Sequence, residues 1–201
     1  MEVQSIPIMN ILRWVFSFLS IIFVWSLPLL STIGFSEPSS NSISAYIANP
    51  HATGAMAFVS FTPLLIITEY QDFYIRNRIN GVIMKTLLYW SLRMFLLFYG
   101  LFIIFTVNYN QTLHQIAVYS FGVSYIIHCL LTIVSINRTI LSSIFVIIGA
   151  VSFIALLFID QTPLFWAVEC VGFSSMVLFT PFEITQNQSN CLLDRDELVI
   201  V

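Results

Sequence analysis

Apolar residues fall in six long, nearly unbroken stretches along this chain, roughly Ile11–Leu30, His51–Thr68, Thr86–Val107, Leu113–Ser135, Leu141–Ile159 and Leu164–Glu183. Each is about 20 residues, enough for a helix rising about 1.5 Å per residue to cross a hydrocarbon core of about 30 Å. The stretches are continuous rather than alternating, which predicts helices and not the two-faced strands of a membrane barrel. The pattern therefore predicts an all-α fold: an integral membrane bundle of six transmembrane helices within residues 1–185. Residues 186–201 are then a disordered tail, too polar and acidic to bury a core.

The polar positions between the stretches set the orientation. Arg13 lies in the N-terminal segment, Arg76, Arg78 and Lys85 in the second loop, Arg138 in the fourth, and Arg195 in the tail. The first, third and fifth loops carry no Lys or Arg. Basic residues accumulate on the cytoplasmic side of a membrane, so both termini are expected in the cytosol. A cleaved signal peptide is the rival reading of the first stretch. Trp14–Leu30 is long and aromatic, and no small-x-small site follows it, so it is expected to remain as a helix.

Composition agrees with this picture. Hydrophobic residues make up 58% of the chain, charged residues 8%, and the mean hydropathy is +0.92, far from a soluble balance. A net charge of −3 and a pI near 5.4 offer no basic surface for nucleic acid. Cys129 and Cys170 lie within helices, where a small buried apolar role is the default, and Cys191 in the tail is either a palmitoylation site or a plain thiol.

The loops are unequal. Ser31–Pro50 is the longest and is rich in Ser, Asn and Pro, with Glu37 its one carboxylate. The third and fifth loops are tight, so helices three and four, and five and six, are expected to be antiparallel neighbours. Protein partners would then meet the cytosolic Glu69–Lys85 loop and the tail. Of three sequons, at Asn110, Asn137 and Asn187, only Asn110 falls on the outer side, hard against the membrane.

Ionisable groups inside a bilayer cost a few kcal/mol each, so every one needs a partner or a role. Helical rise sorts them into two layers. The inner layer holds Arg93 and His128, with Tyr89 and Tyr125 as hydrogen-bonding neighbours. Snorkelling toward the cytosolic headgroups is the plainest role for Arg93. The outer layer holds His51, His114, Asp160 and Glu169, with Glu37 above it. The two layers differ in depth by about 10 Å, too far for an Arg93–Glu169 ion pair. The outer groups suit helix-end hydrogen bonding, in particular a bond from His114 to Glu169. A metal site or acid–base chemistry on a lipid headgroup is the sharper alternative. No HxxxH, HExxH, CxxC or Gly-x-Ser-x-Gly spacing occurs, so no cofactor or metal is expected. Gly149, Ala150 and Ser152 on helix five, and Gly172, Ser174 and Ser175 on helix six, read as surfaces for close packing rather than as a pore.

Several short motifs resemble one family. Pro28-Leu-Leu-Ser31-Thr-Ile-Gly34 followed by Glu37-Pro38, then Tyr74-Ile-Arg76, His114, Phe121–Tyr125 and Glu169-Cys170, follow the order seen in the DRAM/Frag/Sfk family of six-helix membrane proteins. Thr32 replaces the family's Asp, and Glu37-Pro38 reverses its usual pair. The resemblance spans nearly the whole chain. It implies a non-enzymatic regulator or scaffold in lipid handling or autophagy-linked membrane processes, partnered by membrane lipids, in an endomembrane (lysosome or Golgi) or the plasma membrane. It brings no set of catalytic residues. A lipid-modifying enzyme using the outer His and carboxylate groups, and a small channel or transporter, are the alternatives.

Overall fold

Helices form along the apolar stretches, with ends set by local capping rather than by hydropathy. The computed structural model describes residues 6–38, 41–61, 64, 79, 81–135, 140–159 and 163–179. Among these residues there is no strand. In chain order they form α1 (Ile6–Thr32), α2 (Ile43–Tyr46), α3 (Pro50–Met56) running into a π-helical segment (Ala57–Phe61), α4 (Val82–Ile104), α5 (Gln111–Ser135), α6 (Ile140–Ala155) and α7 (Pro163–Phe179). Asp160, Arg76, Arg78, Arg138, Cys191, the sequons at Asn137 and Asn187, most of Glu69–Lys85 and the whole tail lie outside the described residues.

Three helices are long and apolar enough to cross a membrane: Ile11–Thr32, Val82–Ile104 and Gln111–Ser135, with mean hydropathies of 1.9, 1.8 and 1.8. Ser143–Ala155 and Pro163–Phe179 are apolar but shorter. The helix of the fifth stretch stops short of Ile159. Its last amides fold into a turn, Leu157 N–H donating to Ile154 O at 3.0 Å and Phe158 N–H to Ala155 O at 3.0 Å.

Local chemistry explains the ends of α1 and α3. Gly34 adopts φ 74°, a left-handed conformation natural to glycine, just past the end of α1. Phe35 N–H returns to Leu30 O at 3.0 Å and Gly34 N–H to Ser31 O at 3.1 Å, the paired bonds of a Schellman cap. Upstream, Pro28 has no N–H to give the Val24 carbonyl. The Cys170 thiol of α7 lies 3.8 Å from that oxygen and takes the vacant position. α3 starts at Pro50, behind Asn49, whose side chain accepts the His51 N–H.

Small polar side chains are buried beside an apolar core, and many large apolar side chains are exposed. Ser17, Ser20, Ser60, Ser91, His114, His128, Thr132, Ser152 and Ser175 are buried, while Ile22, Leu29, Trp90, Ile104, Ile116, Val134 and Ile147 face outward. Polar groups turn inward and apolar ones outward when the surroundings are hydrocarbon. Arg13 departs from its expected place in a cytosolic segment. It sits inside α1 and is only 2% exposed.

The helices close into a ring in sequence order. Ser20 of α1 donates to Val59 O of the π-segment at 2.6 Å, and Tyr99 of α4 donates to Ser60 at 2.6 Å. α4 and α5 share the most extensive contact, as the tight turn between them predicted. Gly122 of α5 receives the Phe153 ring of α6, and there is no room for a side chain at that position. Between α6 and α7, Gly149 faces Ser175 and Gly172 faces Ser152. As one residue number rises the other falls by the same amount, which makes the pair antiparallel and in contact along small residues. α7 then returns to α1 through Trp25 Nε1–H to Ser174 at 3.1 Å and Ser17 to Val177 O at 3.3 Å. Phe95, Tyr99, Phe102 and Phe121 stack along the α4–α5 interface, at centroid separations of 5.1–6.2 Å.

Candidate functional site: an apolar cavity beneath the Ser31–Pro50 loop

One end of the ring is roofed by the Ser31–Pro50 loop, and polar bonds hold it down. Ser36 donates to Leu27 O at 2.8 Å, Glu37 N–H to Tyr46 O at 3.0 Å, and the Thr53 hydroxyl to Ile47 O. The short helix α2 begins at Ser42, whose side chain accepts the Ala45 N–H at 3.1 Å. A second acceptor arrives from across the bundle: Glu169 Oε2 of α7 takes the Ile43 N–H at 2.5 Å. The carboxylate therefore fastens the loop to α7 by satisfying an amide that α2 cannot satisfy itself. Tyr46 and Trp25 meet the Trp166 ring edge-on and complete the seal.

Beneath Ile43 and Ser44 lies a cavity of about 100 Å³. Phe102, Val118, Phe121, Phe173 and Met176 make its walls largely apolar. Its polar contributors are few: Ser44, Ser152, Tyr125 and Glu169. Two of its lining residues, Glu169 and Met176, are about 10 Å apart along α7 by helical rise. Glu169, held through Oε2 by the Ile43 amide, lines the cavity.

The structure separates the polar groups that depth alone had placed together. His51 is exposed and stacks on Phe35, with ring centroids 6.2 Å apart. His114 is buried, and its Nδ1 lies 2.6 Å from Phe105 O. A carbonyl only accepts, so Nδ1 carries the proton and ties the end of α4 to the start of α5. The expected His114–Glu169 hydrogen bond is absent: His114 Nδ1 meets the Phe105 carbonyl and Glu169 Oε2 meets the Ile43 amide. Among the described residues no three His, Cys, Asp or Glu side chains converge as a metal site requires.

The inner pair also differs in detail. The Arg93 guanidinium lies over the Tyr89 ring, 5.1 Å from its centroid, a cation–π contact rather than a hydrogen bond to the phenol. His128 Nδ1 lies 2.9 Å from Ser91 Oγ, whose own proton goes to Leu88 O at 3.0 Å, so the histidine is the donor. Tyr125, expected beside these groups as a partner, has a buried hydroxyl with no hydrogen bond among the described residues. The Cys129 thiol one turn further on lies near it but outside hydrogen-bonding geometry.

Ser91, Ser20, Ser60 and Tyr99 escaped the sequence reading. For the three serines the signal was a serine inside an otherwise apolar stretch, a residue type that hydrogen-bonds across helices in membranes. Comparison of the chain with protein-family models, with curated proteins and with solved structures returns no match.

Proposed function

We propose that this chain is an integral membrane protein of six spans, with both termini in the cytosol, that acts as a non-enzymatic regulator or scaffold in lipid handling. The six spans rest on the six apolar stretches, and the orientation rests on the segregation of Lys and Arg. α6 and α7 are short for a hydrocarbon core, and local thinning of the bilayer around them accommodates such spans at modest cost. The resemblance to the DRAM/Frag/Sfk family favours an endomembrane (lysosome or Golgi) or the plasma membrane, and a tie to autophagy or lipid remodelling.

The observation that carries the regulator reading is the commitment of Glu169. A general acid or base must reach a reacting group, and a nucleophile needs a base within about 3 Å. Here Glu169 accepts from the Ile43 amide and His114 gives its Nδ1 proton to the Phe105 carbonyl. Neither arrangement sets up a proton relay. Glu169 adjoins a cavity whose walls are largely apolar, which supports a holding role.

The test is rescue. In cells lacking the protein, Glu169→Gln and His114→Gln variants are expected to insert, to localise normally and to restore the membrane-lipid profile as the wild type does. Complete loss of rescue by either variant at normal expression would overturn this reading in favour of chemistry at these groups.

A further inference from the structure

We propose that Pro28, Pro63 and Pro181 act together as a clasp. Each deprives a valine carbonyl of its α-helical donor, a side chain of a neighbouring helix takes that carbonyl, and α1 is thereby locked between the π-segment and α7.

The sequence sets up the acceptors. In an α-helix each carbonyl takes the N–H four residues further on, and proline has none to give. Pro28 therefore leaves Val24 without its donor, Pro63 leaves Val59, and Pro181 leaves Val177. Pro63 and Pro181 lie outside the described residues, and their identity alone matters here, since a proline offers no N–H in any conformation. Pro50 and Pro163 differ, because they open α3 and α7, where the missing N–H has no helical use.

All three valine carbonyls are met from another helix. The Cys170 thiol of α7 lies 3.8 Å from Val24 O, Ser20 of α1 donates to Val59 O at 2.6 Å, and Ser17 of α1 donates to Val177 O at 3.3 Å. Ser17, Ser20 and Cys170 are all buried. A carbonyl left bare in apolar surroundings is costly, and side chains of adjacent helices are the available remedy. Ser20 also reaches Phe16 O of its own helix at 2.8 Å, a bond open to any helical serine. The Val59 bond is shorter, and it joins two elements.

Between α1 and α7 the arrangement is reciprocal. α7 donates to α1 at Val24, and α1 donates to α7 at Val177. The two bonds run from 17 to 24 on α1 and from 177 back to 170 on α7, seven positions on each helix and about two turns. Two points so spaced fix one antiparallel register. A slip of one residue turns a donor about 100° around its helix axis and breaks both bonds. The first and last described helices of the chain are thus the pair that closes the ring, and each supplies both a donor and a proline.

The test is a set of double-mutant cycles on the full chain in phosphatidylcholine bicelles, unfolded reversibly with a denaturing detergent. Ser17→Ala, Ser20→Ala and Cys170→Ala are each combined with Pro28→Ala, Pro63→Ala and Pro181→Ala. Alone, each donor deletion is expected to raise the unfolding equilibrium constant about threefold, the average worth of an interhelical bond in a membrane. The matching proline replacement gives the carbonyl a main-chain donor, so in that background the same deletion should change nothing. Unmatched combinations, such as Ser17→Ala with Pro63→Ala, should show independent effects. Ser17→Thr and Ser20→Thr keep a hydroxyl and should stay near the wild type, which preserves a readout where a proline variant does not fold. Three results overturn the clasp: a threefold loss that persists in the matched proline background, equal coupling in matched and unmatched pairs, or Thr variants as unstable as the Ala variants.

Discussion

Glu169 shows how a carboxyl group is held in an apolar bundle: it has a backbone amide to accept from and a helix end to hold. Replacement by Gln keeps an acceptor of similar shape, so the loop should stay docked and stability should change by less than about 1 kcal/mol. Replacement by Leu orphans the Ile43 amide and should cost about 1–3 kcal/mol, read as thermal unfolding in lipid nanodiscs. Pro28 and Cys170 form a second such pairing, a missing amide answered by a thiol. Cys170→Ala should lower stability by about 0.6 kcal/mol in the Pro28 background, the average worth of an interhelical bond in a membrane. In a Pro28→Ala background, where the Val24 carbonyl regains its helical partner, the same change should cost nothing. A double-mutant cycle measures that coupling, and additivity would refute the pairing.

Between elements, close approach is set by what is absent from the side chain. Gly149 and Gly172 place α6 and α7 in contact over small residues, and a methyl at Gly172 would sit 3.0 Å from Ser152 Cβ. Gly172→Val should therefore force the helices apart and cost about 1–3 kcal/mol, the usual penalty of overpacking. Ser152→Gly in the same chain should recover part of that loss, whereas a purely local effect on α7 would not respond. The π-segment Ala57–Phe61 illustrates the opposite device. Its altered spacing presents the Val59 carbonyl to Ser20 and the Ser60 hydroxyl to Tyr99, so a local irregularity becomes the joint linking α1 and α4.

For the whole molecule, the ring of helices in sequence order gathers the C-terminal ends of α1, α4 and α6 and the N-terminal ends of α3, α5 and α7 beneath one loop. The segregated Lys and Arg residues predict that this loop faces away from the cytosol. A C-terminal tag should thus be protected from protease in sealed right-side-out vesicles, and a cysteine placed at Asn41 should be labelled by an impermeant maleimide from outside. Digestion of the tag without permeabilisation would reverse the arrangement.

What the sequence determined by itself was the helical class and the neighbours joined by tight turns. These follow from runs of apolar residues and from loop lengths, which act between residues close in the chain. The packing role of Gly149, Ser152, Gly172 and Ser175 was legible for the same reason: small side chains in an apolar helix have little other use. Depth grouped His114 with Glu169. It did not tell which groups meet, because helical rise gives a height and leaves the direction around the axis open. Only the tertiary structure assigned Glu169 to the Ile43 amide, His114 to the Phe105 carbonyl and His128 to Ser91, and buried Arg13 inside α1. Each of these depends on the rotation of one helix against another or on the path of a loop, and both are set by side-chain packing across the whole bundle.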